Sequence, residues 1–232
     1  MCGRFATQNM TWSQIVDLSR LTVVGPALNL EPRFNIAPTQ QAAVVREVEG
    51  DRECVMMQWW LTPHWVKEPS TKYAMFNAKV EGIESKPAFR EPVQFKRCLV
   101  PAMNFYEWKG EKGSKRPYYI GLADNQPFCF AGIWDRWQGV VEGQAKTIES
   151  FAILTTEANP LVAEIHARMP VILPQGNYDV WLHGGRDEAL SAAKAPFPAE
   201  KMKAYPVDTA VGNVKNDGPE RDDLIAPQGE LF

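Results

Sequence analysis

Several things are missing from this chain of 232 residues. No apolar run approaches the roughly 18 residues that a membrane-spanning helix needs, so membrane insertion is not expected. The opening "MCGRFATQNMTWSQIV" has no apolar h-region, so a secretory leader is not expected either. Gly does not stand at position 2, which removes the start signal for myristoylation. Histidine is scarce, with three residues, and the four cysteines (Cys2, Cys54, Cys98, Cys129) form no C-x-x-C pair. Zinc and other metals are therefore not expected, and a disulfide framework does not suit a chain that reads as cytosolic. No internal repeat, low-complexity block or Pro/Gly/Ser linker divides the sequence, so one domain over 1–232 is expected. Excess positive charge is also lacking. The net charge is −3, which argues against wholesale phosphate binding but leaves room for a local basic groove.

Tryptophan is present in quantity. Eight residues call for either a core or a flat stacking surface. Along the chain, "TWSQIVDLSRL" (11–21) reads as an amphipathic helix with Thr11 as N-cap. "QAAVVREV" and "CVMMQWW" read as strands around a turn at "EGDRE". "RCLVPAMNFYEW" (97–108) and "KRPYYIGLA" (115–123) read as two strands around the hairpin tip "KGEKGS". "QPFCFAGIWDRW" and "ESFAILTTEAN" are two further β-rich runs, and "MKAYPVD" is a last strand. "NYDVWLHG" and "RDEALSAAKA" are helical, and the tail from about 217 is irregular. Strands in runs with short connections predict an antiparallel sheet with helices packed outside it, an α+β class.

Four stretches carry groups with useful chemistry. If Met1 is removed, Cys2 bears an α-amine and a thiol on adjacent carbons. An α-amine titrates near 7.7–8.0 against about 10.4 for lysine, so at pH 7 it holds ~300 times more neutral amine. Such an amine condenses with an aldehyde to a Schiff base, and the neighbouring thiol can close onto the imine as a five-membered thiazolidine. On position alone, a small apolar terminal residue is the better reading of Cys2. In "YAMFNAKVEG", Asn77, Lys79 and Glu81 alternate and share a face; taken alone, a solvated strand edge is the better reading. Glu107 in "PAMNFYEWK" lies between Tyr106 and Trp108, where a carboxyl acquires a raised pKa suited to proton transfer, or else is an outward charge at a strand end. His166 and Arg168 in "ANPLVAEIHARMPVIL" offer a proton shuttle and a phosphate clamp, although a lone His is more often structural. Trp65 in "TPHWVKEPSTK" reads as exposed on a loop.

Taken together and in order, "MCGRF", "RFNIAPTQ", "FNAKVEG", "PAMNFYEWK", "LTTEAN", "IHARMPVIL" and "AVGNVKN" resemble the SOS response-associated peptidase (SRAP) family, from Cys2 to about Asn216. The resemblance implies antiparallel sheets curled into a barrel-like core with peripheral helices. It implies recognition of abasic sites in single-stranded DNA and a covalent thiazolidine formed by Cys2 once Met1 is gone. By the same resemblance Asn77 positions the terminus, Glu107 carries protons beside Cys2, and His166 assists sugar ring opening and the Schiff-base steps. Arg4 and Arg168 hold the DNA backbone, Thr155 lies near the phosphates, and Asn35 and Pro38 line the pocket. Trp65 stacks on or wedges against DNA, with Trp108 near the same groove and Lys86 adding charge. Lys79 stands where the family often has Arg, which keeps the charge but loses the planar fork. Val66 stands where some relatives have a second Trp. No cofactor, a monomer and a cytoplasmic, nucleoid-associated location are expected. The competing readings are a thiol peptidase acting on its own Met1–Cys2 bond, and a non-covalent reader of single-stranded or modified DNA.

Overall fold

A computed structural model describes residues 2–22, 28, 30–111, 113–218 and 226. The first helix, α1 (Trp12–Ser19), begins where the sequence signal placed it. The Thr11 side chain accepts from the Gln14 N–H at 3.3 Å, and the Gln14 side chain accepts from the Thr11 N–H at 2.8 Å. This reciprocal capping box satisfies two donors that the first turn would otherwise leave open. Ile15 and Leu18 are buried beneath the helix.

Five strands form a closed ring: β2 (Gln41–Val48), β3 (Asp51–Trp59), β5 (Arg97–Ala102), β8 (Phe128–Val141) and β9 (Gln144–Glu157). Their order around the ring is β3-β2-β5-β8-β9, and β9 closes back on β3. The first four pairings are antiparallel. The closing one is parallel, Gln58 against Ser150 and Trp59 against Phe151. The all-antiparallel expectation is corrected here, for a reason of parity. Alternating directions around an odd number of strands leaves the first and last pointing the same way. The short β4 (Asn77–Lys79) adds a second parallel pairing to β9, with Lys79 opposite Thr155. On the flanks, β10 (Arg168–Pro170) pairs with β9 and β11 (Ile172–Leu173) with β8.

A smaller antiparallel sheet has the order β1-β6-β7-β12: β1 (Phe5–Ala6), β6 (Asn104–Lys109), β7 (Arg116–Leu122) and β12 (Met202–Pro206). The stretch 97–108, expected as one strand, is therefore two. β5 belongs to the barrel and β6 to the second sheet, and the chain crosses between them at Met103, whose N–H donates to the Ala6 carbonyl at 2.8 Å. Continuous apolar character hid the break, because both strands are buried on both faces.

Alternate residues of the barrel strands enter two clusters. One, with Val45, Leu99, Ala131 and Leu154, packs against α1, α2 (Pro92–Phe95), α4 (Tyr178–His183) and α5 (Arg186–Lys194). The other, with Val44, Trp59, Val100, Phe130 and Phe151, meets Cys2, Phe5 and Phe105, and Val162 of α3 (Pro160–Ala163). The α+β class and the barrel-like core are thus as expected. Among the described residues, no helix is long and apolar enough to cross a membrane.

Candidate functional site around Cys2

The segment that carries Cys2 is threaded between two others. Phe5 exchanges both main-chain hydrogen bonds with Ile36, at 3.1 and 2.8 Å, and pairs with Phe105 of β6. Tyr106 N–H donates to the Arg4 carbonyl at 3.0 Å. Carrying this antiparallel register on by one residue sets Gly3 opposite Glu107. The Phe5 ring drives the placement. It is fully buried and meets the edges of Trp59 at 5.0 Å and Phe130 at 5.9 Å. Edge-to-face contacts of this kind each add about 0.5–1.5 kcal/mol beyond the buried area.

The C-terminal segment locks the same region from outside. Asn35, fully buried, donates its amide to the carbonyls of Val211 at 2.9 Å and Asn213 at 3.0 Å. Asp217 accepts from the Asn35 N–H at 2.7 Å and pairs with Arg33 at 2.5 Å. Tyr106 donates its hydroxyl to the Phe34 carbonyl at 2.8 Å. The distant motifs "RFNIAPTQ" and "AVGNVKN" are therefore two halves of one lock. Asn35 sits within it rather than facing the pocket, and Pro38 is half-buried in the turn that follows.

Two of the expected catalytic groups, Asn77 and Glu107, reach Cys2, and His166 acts on Glu107. The Cys2 side chain is fully buried, with Sγ 3.4 Å from the Arg4 carbonyl. Burial, and then the charge of Glu107, push the Cys2 thiol far up from its ordinary pKa. Asn77, at the start of β4, donates its amide N–H to the Cys2 carbonyl at 2.6 Å. Glu107 on β6 is 4% exposed. Burial raises its pKa, and the His166 charge is among the influences pulling it back. A charge on the His166 ring is thus felt at the carboxyl. His166 follows α3, which Asn159 caps by accepting from Val162 N–H at 2.9 Å. His166 Nδ1 lies 3.0 Å from the Arg168 N–H and 3.1 Å from the Arg168 carbonyl. The main chain thereby occupies Nδ1.

The cations sit differently from one another. Arg4 donates to the Gly212 carbonyl at 3.3 Å and lies 5.9 Å over the half-buried Trp108 ring. Arg168 forms a two-pronged pair with Glu81, at 2.9 and 2.7 Å, and donates to the Thr155 carbonyl at 2.6 Å. That pair holds the Glu81 carboxyl below its usual range. Thr155 is fully buried, and its hydroxyl lies 3.4 Å from Arg168. It therefore reaches outward only through that arginine. Lys79 is exposed, Lys86 is half-buried at the end of a 3-10 turn over Ile83–Ser85, and Trp65 is 57% exposed on its loop. The alternation expected for Asn77 and Lys79 holds in register, but Asn77 is buried and Lys79 is not.

Two participants escaped the sequence reading. Asp217 falls where the tail was expected to become irregular, and nothing local signals its pairing with Arg33. Asp135 carried a usable signal, a carboxylate inside the apolar strand "FAGIWDRW". It is 1% exposed and paired with Lys96 at 2.6 Å. The four cysteines are free; Cys2, Cys98 and Cys129 are buried, and Cys54 is half-buried. Among the described residues, no group of three His, Cys, Asp or Glu side chains could hold a metal ion.

Comparison with known proteins gives the family and the fold. The family profile described as SOS response associated peptidase (SRAP) matches residues 1–214. The chain is 34% identical over 223 residues to the abasic site processing protein YoqW of Bacillus subtilis, covering 95% of this chain and 98% of that one. It is 30% identical to the abasic site processing protein YedK of Escherichia coli, covering 98% of this chain and all of that one. A crystal structure of a protein from Bacteroides thetaiotaomicron superposes with a TM-score of 0.78 at 29% identity, over 97% of this chain and 99% of that one. The chain belongs to the SRAP family.

Proposed function

We propose that this protein captures abasic sites in single-stranded DNA covalently, through Cys2 after removal of Met1. The observation that carries the reading is the Asn77 amide, which holds the Cys2 carbonyl at 2.6 Å. A terminal aminothiol is thereby fixed beside Glu107, a carboxyl whose pKa burial has raised. The relatives named for abasic site processing support the same substrate.

The open form of an abasic sugar is an aldehyde. The neutral Cys2 amine attacks its carbonyl carbon, a C–N bond forms, and water leaves to give a Schiff base. The Cys2 sulfur then bonds to the imine carbon while its proton passes to the nitrogen, which closes a thiazolidine. Because amine and thiol are held on one residue, ring closure is intramolecular. Glu107 takes the proton from the attacking amine and supplies one to the departing water, as a carboxyl whose pKa burial has raised can. His166, oriented by the Arg168 main chain, assists opening of the sugar ring through Nε2. Arg4, Arg168, Lys79 and Lys86 contact phosphates, and Trp65 stacks on bases. Asn35, Pro38, Thr155 and Trp108 shape and support that surface. The working form is a monomer that needs no cofactor or metal, in the cytoplasm beside the nucleoid.

A peptidase that turns over other substrates has less support. Such an enzyme needs a ready thiolate, and burial holds the Cys2 thiol in its protonated form. Removal of Met1 from its own chain remains within the proposal, as the step that exposes the amine. Denaturing electrophoresis with an abasic single strand tests the reading. A denaturant-stable complex is expected with the Met1-processed protein, and none with Cys2→Ala or with intact DNA. Equal crosslinking by Cys2→Ala contradicts it, and a complex that dissolves in denaturant would leave a non-covalent reader.

A further inference from the structure

Trp65 is exposed, but the chain around it is not loose. Thr62 N–H donates to Ser150 Oγ on β9 at 2.8 Å, and Trp137 Nε1 on β8 donates to the Val66 carbonyl at 2.8 Å. A turn hydrogen bond from Val66 N–H to the Pro63 carbonyl, at 3.2 Å, closes the loop. His64, next to Trp65, makes the most specific attachment. Its N–H donates to Asp135 Oδ2 at 2.8 Å, and its ring Nδ1 lies 2.9 Å from the same oxygen. The other Asp135 oxygen accepts from Lys96 Nζ at 2.6 Å and from Arg136 N–H at 2.9 Å. Glu91 stands 3.6 Å from both His64 Nε2 and Lys96 Nζ.

A carboxylate that is 1% exposed is expensive to bury unless its oxygens are satisfied. Here main chain, imidazole and ammonium satisfy them, and the Lys96 and His64 bonds outweigh burial to hold the carboxyl below its ordinary pKa. Such a group is costly to keep for stability alone, whereas it specifies geometry well. An indole on a loosely held loop would lose conformational freedom on stacking, while one with fixed flanks has already lost it.

We propose that His64 is a positioning residue, which with Asp135 and Lys96 presets the Trp65 indole for stacking on single-stranded DNA. This rests on the reading of Trp65 as a DNA contact. The surrounding cluster then serves Trp65, and its effect on binding passes through that ring.

A double-mutant cycle on reversible affinity tests it. The probe is a labelled single strand carrying a tetrahydrofuran abasic analogue, which has no aldehyde and so keeps Cys2 chemistry out of the readout. Trp65→Ala is expected to weaken binding about tenfold. His64→Ala is expected to weaken it several-fold in the parent protein and not at all when Trp65→Ala is already present. His64→Asn, whose amide N–H stands where Nδ1 does, is expected to restore affinity to within about twofold of the parent. An equal loss from His64→Ala in both backgrounds overturns the proposal, since a general effect on folding would act in both. Failure of His64→Asn to rescue also overturns it. Unchanged affinity for Trp65→Ala would instead remove the reading of Trp65 on which the proposal stands, whereas a loss for Trp65→Ala with none for His64→Ala removes the proposal alone.

Discussion

Asn77 grips Cys2 by its carbonyl, so losing that amide leaves a buried acceptor without its donor. Asn77→Ala should cost about 1–3 kcal/mol and slow adduct formation markedly, measured as a single-turnover rate on abasic single strands. Glu107 supplies a pH signature. Its folded pKa lies above the ordinary carboxylate value because it is buried. As a base, it works only in the ionised form, so the rate should fall as pH drops through that raised pKa. The α-amine contributes its own rise toward about pH 8. Glu107→Gln should remove the carboxylate limb and keep the amine limb, which a pH–rate profile resolves. These residues were legible only through the family's motifs. Nothing in "MCGRF" alone separates a reactive terminus from a small buried side chain, since burial of the aminothiol depends on partners about 75 and 105 positions away.

Among the elements, β1 matters beyond its two residues. Its hold on the barrel is the Phe5 ring, so Phe5→Ala should cost about 3–5 kcal/mol, read as a lowered denaturant midpoint. Because β1 delivers Cys2, the same variant should also lose crosslinking under conditions where it remains folded. The Asp135 cluster makes a separate prediction for acid. Its folded pKa lies below the ordinary 3.8, so its stabilisation is fully present above that value and is lost as pH falls through the lower, folded one. Asp135→Asn should flatten the acid limb of stability measured between roughly pH 5 and pH 2. Helix α1 and the main hairpins were readable, because caps and turns are local chemistry. The division of 97–108 into β5 and β6 was not, since a strand buried on both faces shows the same apolar run whichever sheet it joins.

For the whole molecule, ring closure decides which distant groups meet. It sets β4 beside β9 in parallel, and thereby brings Asn77 to Cys2 and Lys79 opposite Thr155. A pass along the sequence finds strands and turns but not the parity of the ring, which is why parallel pairings went unforeseen while the α+β class did not. Net charge is a property at this scale too. On the proposed reading, a chain at −3 whose phosphate contacts are Arg4, Lys79, Lys86 and Arg168 should release few counterions. The log–log slope of affinity against salt should lie at about −1.5 to −3, as expected for two to four phosphates on a single strand. A much steeper slope in a salt titration would place the DNA on a wider basic surface.

The central claim joins Cys2, its amine and its thiol in one covalent product, and intact mass spectrometry of the protein after reaction with an abasic single strand tests it most directly. The account predicts the mass of the chain without Met1, plus the strand, minus one water, with no such species from Cys2→Ala. An adduct on a chain that still carries Met1, or the same adduct on Cys2→Ala, would contradict it.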